Sequence, residues 1–280
     1  MNRKAQDPSI HESDRSDRWA RGTFEREELA TALLAARVAG EDCSHDRGNV
    51  LWKIKRLVAG DPDVQFGLTG LAGSLSREEV LRLVAAEAGF DPDPGVTEGP
   101  VRIEPGPMLR ALEAAGDRLA RAAGRGENVL LATGHPAGLV LLYMAVGELL
   151  TKAGAKLLRP MQSVVWEDGA HSWRVRYLHG VAVLSYGGSS MHSHSPDAMQ
   201  RMLEEVRPDL VFADHGFAGA AIEVGVETIS IVDVNDPAPL VAKHQGRTDV
   251  VIVMDDNVEP EDYWPCFQAI AARFPPDRTR

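Results

Sequence analysis

The run Val129-Leu-Leu-Ala-Thr-Gly-His-Pro-Ala-Gly-Leu139, which continues as an apolar segment to Leu150, decides the class of fold. Its first half is apolar and of strand length, and a segment of helical length, rich in Ala and Leu, follows the Gly134-His135-Pro136 turn. The pattern predicts a strand, a tight turn and a helix that begins at the turn. Because free N–H groups at a helix start attract phosphate, we expect Gly134, His135, Ala137 and Gly138 to bind phosphate.

The same alternation of strand and helix repeats along the second half of the chain. Strand-like runs separated by helical segments occur at 156–158, 172–185 (a pair of strands), 210–213, 228–232 and 249–254. Strands that are apolar throughout and alternate with helices indicate an α/β fold. We therefore expect a mostly parallel, Rossmann-like sheet with helices on both faces.

The first 107 residues have a different character. Residues 1–22 are polar and predict a disordered tail, whereas residues 23–107 predict a helical N-terminal elaboration. One of its helices opens with the capping box Ser76-Arg-Glu-Glu79. A proline-rich stretch, 91–107, is the expected internal boundary, after which residues 108–275 form the α/β catalytic domain and residues 276–280 a short tail.

Composition narrows the function classes. A formal net charge of −11 over 280 residues argues against binding to nucleic acid or to an anionic membrane surface, since both require a basic surface. The longest apolar run, 140–150, is too short to span a bilayer. Two distant cysteines, Cys43 and Cys266, imply neither a disulfide framework nor a thiolate metal site. We expect a cytoplasmic protein whose partner is a small molecule.

Histidine or aspartate follows five of the predicted strands. Open α/β sheets bind ligands beyond the carboxyl ends of their strands, so these residues should meet in space. Any one of them could instead cap a helix or stabilise a turn, but that explanation is much weaker for all five positions together. Imidazole and carboxylate are ligands of divalent metals, here Zn²⁺, Mn²⁺, Fe or Mg²⁺. The expected metal ligands are His192, His194, Asp214, His215, Asp233, Asp236 and Asp255.

Such a cluster suits the hydrolysis of a phosphate ester. A metal ion would neutralise phosphoryl oxygens and generate a hydroxide nucleophile, with His135, Asp214 and His215 as catalytic residues. In a mechanism without metal, His135 or His215 would act as nucleophile or general acid, and Asp214 would orient the ring. The sequence leaves both mechanisms open. Signatures of P-loop kinases, dinucleotide-dependent enzymes and serine hydrolases are absent from it.

Several segments also resemble a known family. They are 131–138 (LATGHPAG), 176–182 (RYLHGVA), 192–196 (HSHSP), 212–220 (FADHGFAGA), 233–237 (DVNDP) and 253–257 (VMDDN). Together they resemble a family of actinobacterial proteins labelled phosphatases, and the likeness extends from about residue 24 to residue 275. The resemblance implies hydrolysis of phosphate monoesters, and it makes His179, within the second segment, less clearly a structural residue.

We therefore expect a metal-dependent phosphatase that acts on a small phosphorylated metabolite. Two other functions fit the same residues. One is a protein that binds a nucleotide or sugar phosphate at the Gly134-His135 turn without cleaving it. The other is an isomerase or transferase that uses His and Asp as acid and base on phosphorylated substrates.

Overall fold

The computed structural model describes residues 18–41, 43–169 and 171–276, and the strands within these ranges form one sheet. The strands are β1 (Asn128–Thr133), β2 (Lys156–Leu157), β3 (Val165–Asp168), β4 (His171–Leu178), β5 (Val181–Tyr186), β6 (Ser189–Ser190), β7 (Leu210–Asp214), β8 (Thr228–Val232) and β9 (Val250–Val253). Their order is β3-β4-β5-β1-β7-β8-β9, with β2 paired to β1 and β6 paired to β5.

The centre of the sheet is parallel and one edge is antiparallel. Strand β1 runs parallel to both β5 and β7, and β7, β8 and β9 continue in the same direction. Strands β3, β4 and β5 pair antiparallel, as do β5 and β6. The expected Rossmann-like α/β architecture is confirmed, with an antiparallel extension whose outermost strand, β3, the sequence analysis did not predict.

Helices cover both faces of the sheet. They are α1 (Arg26–Ala35), α2 (Arg47–Val58), α3 (Arg77–Ala88), α4 (Pro105–Arg125), α5 (Val140–Lys152), α6 (Asp197–Glu205), α7 (His215–Glu223), α8 (Ala238–His244) and α9 (Trp264–Ala271). The predicted capping box is present at the start of α3, where Ser76 and Glu79 bond reciprocally. Across the described ranges, every helix is too short or too polar to cross a membrane.

Alternate residues of the organising strand enter two hydrophobic clusters. Val129 and Leu131 belong to a large cluster that includes side chains of α1 to α5, α8 and α9. Leu130 and Ala132 belong to a smaller cluster on the opposite face, which contains side chains of α6 and α7. This alternation follows from the two-residue repeat of a strand, and it explains why a strand covered on both faces is apolar throughout.

The N-terminal half contributes to the large cluster, so its helices pack directly against the sheet domain. The predicted division of the chain at residue 107 stays a prediction. Of the tail predicted for residues 1–22, positions 1–17 lie outside the described residues. Residues 18–22 are packed against α9, because Gln268 donates to the Arg18 and Ala20 carbonyls and the Trp19 ring contacts Phe267. Of the predicted C-terminal tail, 277–280 also lie outside the described residues.

The turn after β1 differs from the prediction in one respect. Helix α5 begins at Val140, four residues later than expected at Pro136. Residues 134–138 pass close to other loops: a Cβ on Gly134 would lie 2.3 Å from the Ser193 carbonyl oxygen, and one on Gly138 would lie 2.9 Å from that of Asp256. Packing against these loops therefore holds the segment in a turn and delays the helix.

Candidate active site

The loops that follow the parallel strands converge at one edge of the sheet. Strand order reverses at β1, since the chain places β5 on one side of β1 and β7 on the other. Such a reversal opens a crevice in which α/β proteins bind ligands. Hydrogen bonds tie the loops together there: the Gly134 N–H donates to Asp214 Oδ1 (2.7 Å), and the Ser193 N–H donates to the Gly134 carbonyl (2.9 Å).

Three histidines from two of these loops, His192, His194 and His215, are close enough to hold one metal ion. The Nε2 atoms of His192 and His194 lie 3.2 Å apart, and the His194 ring stacks on His215 with centroids 4.6 Å apart. Two imidazole nitrogens on one tetrahedral zinc ion are separated by roughly 3.3 Å, so the spacing suits a shared ion. Burial lowers the pKa of His192 and of His194 to about 4, which keeps both rings neutral and able to ligate a metal.

His215 is the residue on which the site is centred. It is the first residue of α7, is buried, and has a left-handed φ of 45°. Its Nδ1 lies 2.9 Å from Asp214 Oδ1, a contact that orients the ring and directs Nε2 towards the loop after β8 and the loop after β9. Burial by itself would lower the pKa of His215, but the contacts with Asp214 and Asp236 raise that pKa well above its ordinary value.

Two carboxylates face His215 Nε2. Asp236 Oδ2 lies 3.4 Å and Asp256 Oδ2 lies 3.6 Å from it, and the three residues form a second group that could hold a metal ion. Burial disfavours the ionised form of both acids, yet the hydrogen bond with His215 lowers the pKa of Asp236 to about 2. For Asp256, burial prevails and raises its pKa to about 7.

Buried carboxylate oxygens at this edge lack hydrogen-bond partners among the described residues. Such groups are costly to bury unless a cation or a donor compensates them. One oxygen of each of four acids is in this condition: Asp214 Oδ2, Asp233 Oδ2, Asp236 Oδ1 and Asp256 Oδ2. A divalent cation satisfies several such oxygens at once, and the neutral rings of His192 and His194 supply nitrogen ligands to a mixed set. The residues present therefore fit a divalent metal.

Asp255, an expected metal ligand, is bonded away from the cluster, and Asp256, to which the sequence analysis gave no role, faces it. Both carboxylate oxygens of Asp255, the expected metal ligand, accept hydrogen bonds from Ser44, and Oδ1 also accepts one from the Asn257 N–H. Its neighbour Asp256 faces the histidines instead. Adjacent residues at a strand end project to opposite sides, so only one of the two can enter the cluster, and the sequence alone does not indicate which.

Asp233 lies at the margin of the cluster rather than in either metal group. Its Oδ1 accepts a hydrogen bond from the Val234 N–H, and its Oδ2 lies 3.6 Å from His45 Nε2. Burial and the adjoining carboxylates raise the pKa of Asp233 well above its ordinary value.

His135 is held in one tautomer. Its Nδ1 lies 2.6 Å from the carbonyl oxygen of Asp256, an acceptor, so Nδ1 carries the proton and Nε2 has a free lone pair. The His135 ring centroid is 4.4 Å from that of His192 and 5.4 Å from that of His215. Burial lowers the pKa of His135, so the neutral ring is favoured. This geometry suits a base beside the metal-binding groups.

The backbone of the same turn is largely engaged within the protein. The N–H groups of Gly134, His135 and Gly138 donate to Asp214 Oδ1, Thr133 Oγ1 and the His135 carbonyl, respectively. Of the four residues expected to bind phosphate, Ala137 has no hydrogen bond from its N–H in the part of the chain that the structure describes. Phosphate binding at this turn stays a prediction.

The helical N-terminal half supplies side chains to the site that the sequence analysis did not anticipate. Lys53 Nζ on α2 lies 3.6 Å from Asp236 Oδ1, and Asn49, one turn earlier, accepts a hydrogen bond from Asn235. His45 precedes the helix and contacts Asp233. The four-residue spacing of Asn49 and Lys53 places them on one helix face, but nothing in the sequence indicates that this face covers the sheet edge.

The cluster concentrates acidic side chains. Lys53 is the cation, apart from histidine, that lies within ion-pair distance of its carboxylates among the described residues. A phosphate dianion entering this environment alone would be repelled by Asp214 and Asp236, whose lowered pKa values keep them ionised, whereas one or two divalent cations would neutralise these carboxylates. The geometry therefore suits metal-assisted chemistry on an anionic substrate better than attack by an unassisted histidine.

Comparisons with known proteins identify phosphatases as relatives of this chain. A family model described as Phosphatase matches residues 24–274. A protein of Streptomyces coelicolor named Phosphatase SCO2771 is 35% identical to this chain over 249 residues, which cover 87% of this chain and 93% of that protein.

Proposed function

Since this chain belongs to the Phosphatase family and is a phosphatase, we propose that it is a metal-dependent phosphomonoesterase for a small phosphorylated metabolite. The observation that carries the proposal is the set of buried carboxylate oxygens without hydrogen-bond partners, which surround three histidines spaced for metal ligation. Family membership favours hydrolysis over the two other functions that the sequence left open, binding without cleavage and isomerisation or group transfer.

The ligands that would hold the metal are His192, His194, His215, Asp236 and Asp256, with Asp214 Oδ2 within the same buried cluster. A ligand set with several imidazoles favours Zn²⁺, Mn²⁺ or Fe over Mg²⁺, which prefers oxygen ligands. When bound, the metal supplies Lewis-acid stabilisation of the phosphoryl oxygens and lowers the pKa of a bound water.

The protein's own residues then have separate tasks. His135 accepts the proton of the attacking water at Nε2, the ring nitrogen that its hydrogen bond to Asp256 leaves unprotonated. Asp214 fixes the orientation of His215, and Lys53 contributes a positive charge for the phosphoryl group. A new bond joins the water oxygen to phosphorus, the ester P–O bond breaks, and its electron pair leaves on the alcohol oxygen. That oxygen takes a proton from solvent, and His135 returns the proton it accepted to solvent. The products are an alcohol and inorganic phosphate.

The mechanism without metal explains the structure less well. His215 would have to attack phosphorus through Nε2, but that atom faces two carboxylates and the residue is buried. His135 is more exposed, yet the ionised Asp214 and Asp236 would repel its substrate. Metal binding by the carboxylates removes both difficulties.

The test combines elemental analysis with phosphate release. We expect stoichiometric metal on the purified full chain, and phosphate release from a panel of phosphate monoesters that a chelator abolishes and added metal restores. Alanine at both His192 and His194 should remove metal and activity together. His244→Ala, which changes an exposed histidine at the end of α8, is the matched control and should retain both. Chelator-resistant release by metal-free protein would contradict the proposal.

The proposal includes a small phosphorylated molecule as the partner and the cytoplasm as the location. Net charge and the sparse, widely separated cysteines support them.

A further inference from the structure

An open groove of about 780 Å³ lies beside the cluster and takes no part in the chemistry described so far. Its volume falls within the range of roughly 300 to 1,000 Å³ that is usual for small-molecule sites. The N-terminal half of the chain supplies its walls. They are formed by Cys43, Ser44, His45, Asp46, Gly48, Asn49, Trp52 and Pro100.

Three residues of the groove wall contact the loops that carry the catalytic cluster. Ser44 bonds Asp255, His45 lies against Asp233, and Asn49 accepts a hydrogen bond from Asn235. The groove therefore borders the loops after β8 and β9, next to Asp233, Asn235 and Asp255. A phosphate ester whose phosphoryl group lies at the carboxylates would extend its alcohol portion, the leaving group, into this groove.

Trp52 is the large apolar side chain in the groove wall. It is 50% exposed, although it lies one position before Lys53, which reaches the cluster. The Arg56 guanidinium, one helical turn after Trp52 on α2, lies 4.7 Å from the centroid of the Trp52 ring. Most of the groove residues lie on the other side of Trp52 in the chain, before the helix or in its first turn. Stacking by Arg56 from one side fixes the indole and leaves a flat surface for a second planar group.

Charge in the groove restricts the leaving group further. The residues that line it include Asp46 and neither Lys nor Arg. A second phosphate in this groove would meet a carboxylate without a compensating cation, whereas an uncharged ring-bearing alcohol would not.

We propose that the groove binds the leaving group and that Trp52 stacks on a planar ring in it, so that the substrates are monophosphates of uncharged ring-bearing alcohols, such as nucleosides. The inference rests on the proposed phosphatase function and names the substrate class of that site. Trp52 is then a specificity-determining residue. Stacking on an aromatic side chain corresponds to about 5- to 100-fold in affinity per ring.

The experiment compares two esters that differ in the presence of the planar adenine ring. Adenosine 5′-monophosphate and ribose 5-phosphate share the phosphoester and the pentose, and phenyl phosphate tests a simple aryl ring. For the metal-loaded full chain we expect a higher kcat/KM with the adenosine ester than with ribose 5-phosphate. Trp52→Ala should lower kcat/KM for the adenosine ester by about 5- to 100-fold and leave ribose 5-phosphate within about twofold. Trp52→Phe should retain most of the preference.

Trp166→Ala is the matched control, because Trp166 lies on the edge strand β3, away from the parallel strand ends. Trp166→Ala should leave kcat/KM unchanged for both esters. Equal rates with both esters in the wild type, or an equal loss with both in Trp52→Ala, would overturn the inference and leave the phosphatase function intact. If Trp52 raises kcat/KM for phenyl phosphate but not for the adenosine ester, stacking on a planar ring is supported and nucleoside monophosphates are excluded as the substrate class. Failure to release phosphate from any ester would instead overturn the metal-dependent phosphomonoesterase proposal.

Discussion

Asp256→Asn should stabilise the metal-free protein at alkaline pH while it destroys activity. In the folded, metal-free chain, burial raises the pKa of Asp256 from 3.8 to about 7, with His215 opposing the rise and the adjoining carboxylates adding to it. Because the pKa of Asp256 is higher in the folded state, its carboxyl group contributes to the free energy of unfolding in full below pH 3.8, the ordinary pKa. This contribution is lost as pH rises through 7. Asparagine cannot ionise, so the variant does not lose it.

The magnitude follows from the size of the shift. A shift of about three pH units, at about 1.4 kcal/mol each, makes the ionised carboxylate cost about 4 kcal/mol in the folded state. About 3 kcal/mol of this loss falls between pH 5 and pH 8. His215 also has a raised pKa, so its stabilising contribution is likewise lost as pH rises. Because Asp256→Asn retains His215, this loss occurs in the wild type and in the variant. Asp236, with a pKa of about 2, stays ionised throughout this window.

The assay is urea denaturation of chelator-treated protein at pH 5, 6, 7 and 8. We expect the wild type to lose about 3 kcal/mol more of its free energy of unfolding than Asp256→Asn between pH 5 and pH 8. Asp168→Asn, at the exposed end of β3, is the control and should follow the wild type. Saturating metal should reverse the order, because the wild-type carboxylate then becomes a ligand. Parallel pH profiles of the wild type and Asp256→Asn without metal would refute the reasoning that the buried carboxylate requires a cation.

Three further predictions concern separate parts of the site. His135→Ala should lower kcat by about 100-fold or more with the metal content unchanged, measured by phosphate release and elemental analysis; loss of metal would identify it as a ligand instead. Gly219→Ala should lower the free energy of unfolding by about 1–3 kcal/mol in urea, because the new Cβ would lie 2.0 Å from the Phe66 carbonyl oxygen; unchanged stability would show that the helix can move aside. Asp255→Asn should keep its bound metal in elemental analysis while Asp236→Asn loses most of it, and the opposite result would reverse the assignment of these acids.

Local signals in the sequence were sufficient where the structure depends on near neighbours. The capping box at Ser76 and Glu79 was predicted correctly, since a helix start is determined within one turn. The parallel strands were predicted from their apolar runs, because a strand covered on both faces has no polar side. The start of α5 was predicted wrongly, because contacts of Gly134 and Gly138 with distant loops determine it.

In the candidate site too, the sequence was sufficient for some features, and others depend on contacts between distant segments. Parallel strands end at a common edge, so the sequence was enough to expect His135, His192, His194 and His215 near one another, and their rings do lie side by side. It was not enough to assign a role to Lys53, which reaches Asp236 from a position 183 residues earlier in the chain. His45 was missed for the same reason.

The sequence by itself determined the α/β class, the strand ends that carry the candidate site residues, and the net charge of −11. These properties depend on residue type and on short repeats along the chain. Only the tertiary structure decided that Asp256 rather than Asp255 faces the histidines, and that α2 covers one side of the candidate site. Those features depend on side-chain direction and on contacts between distant segments, for which a single sequence carries no local signal.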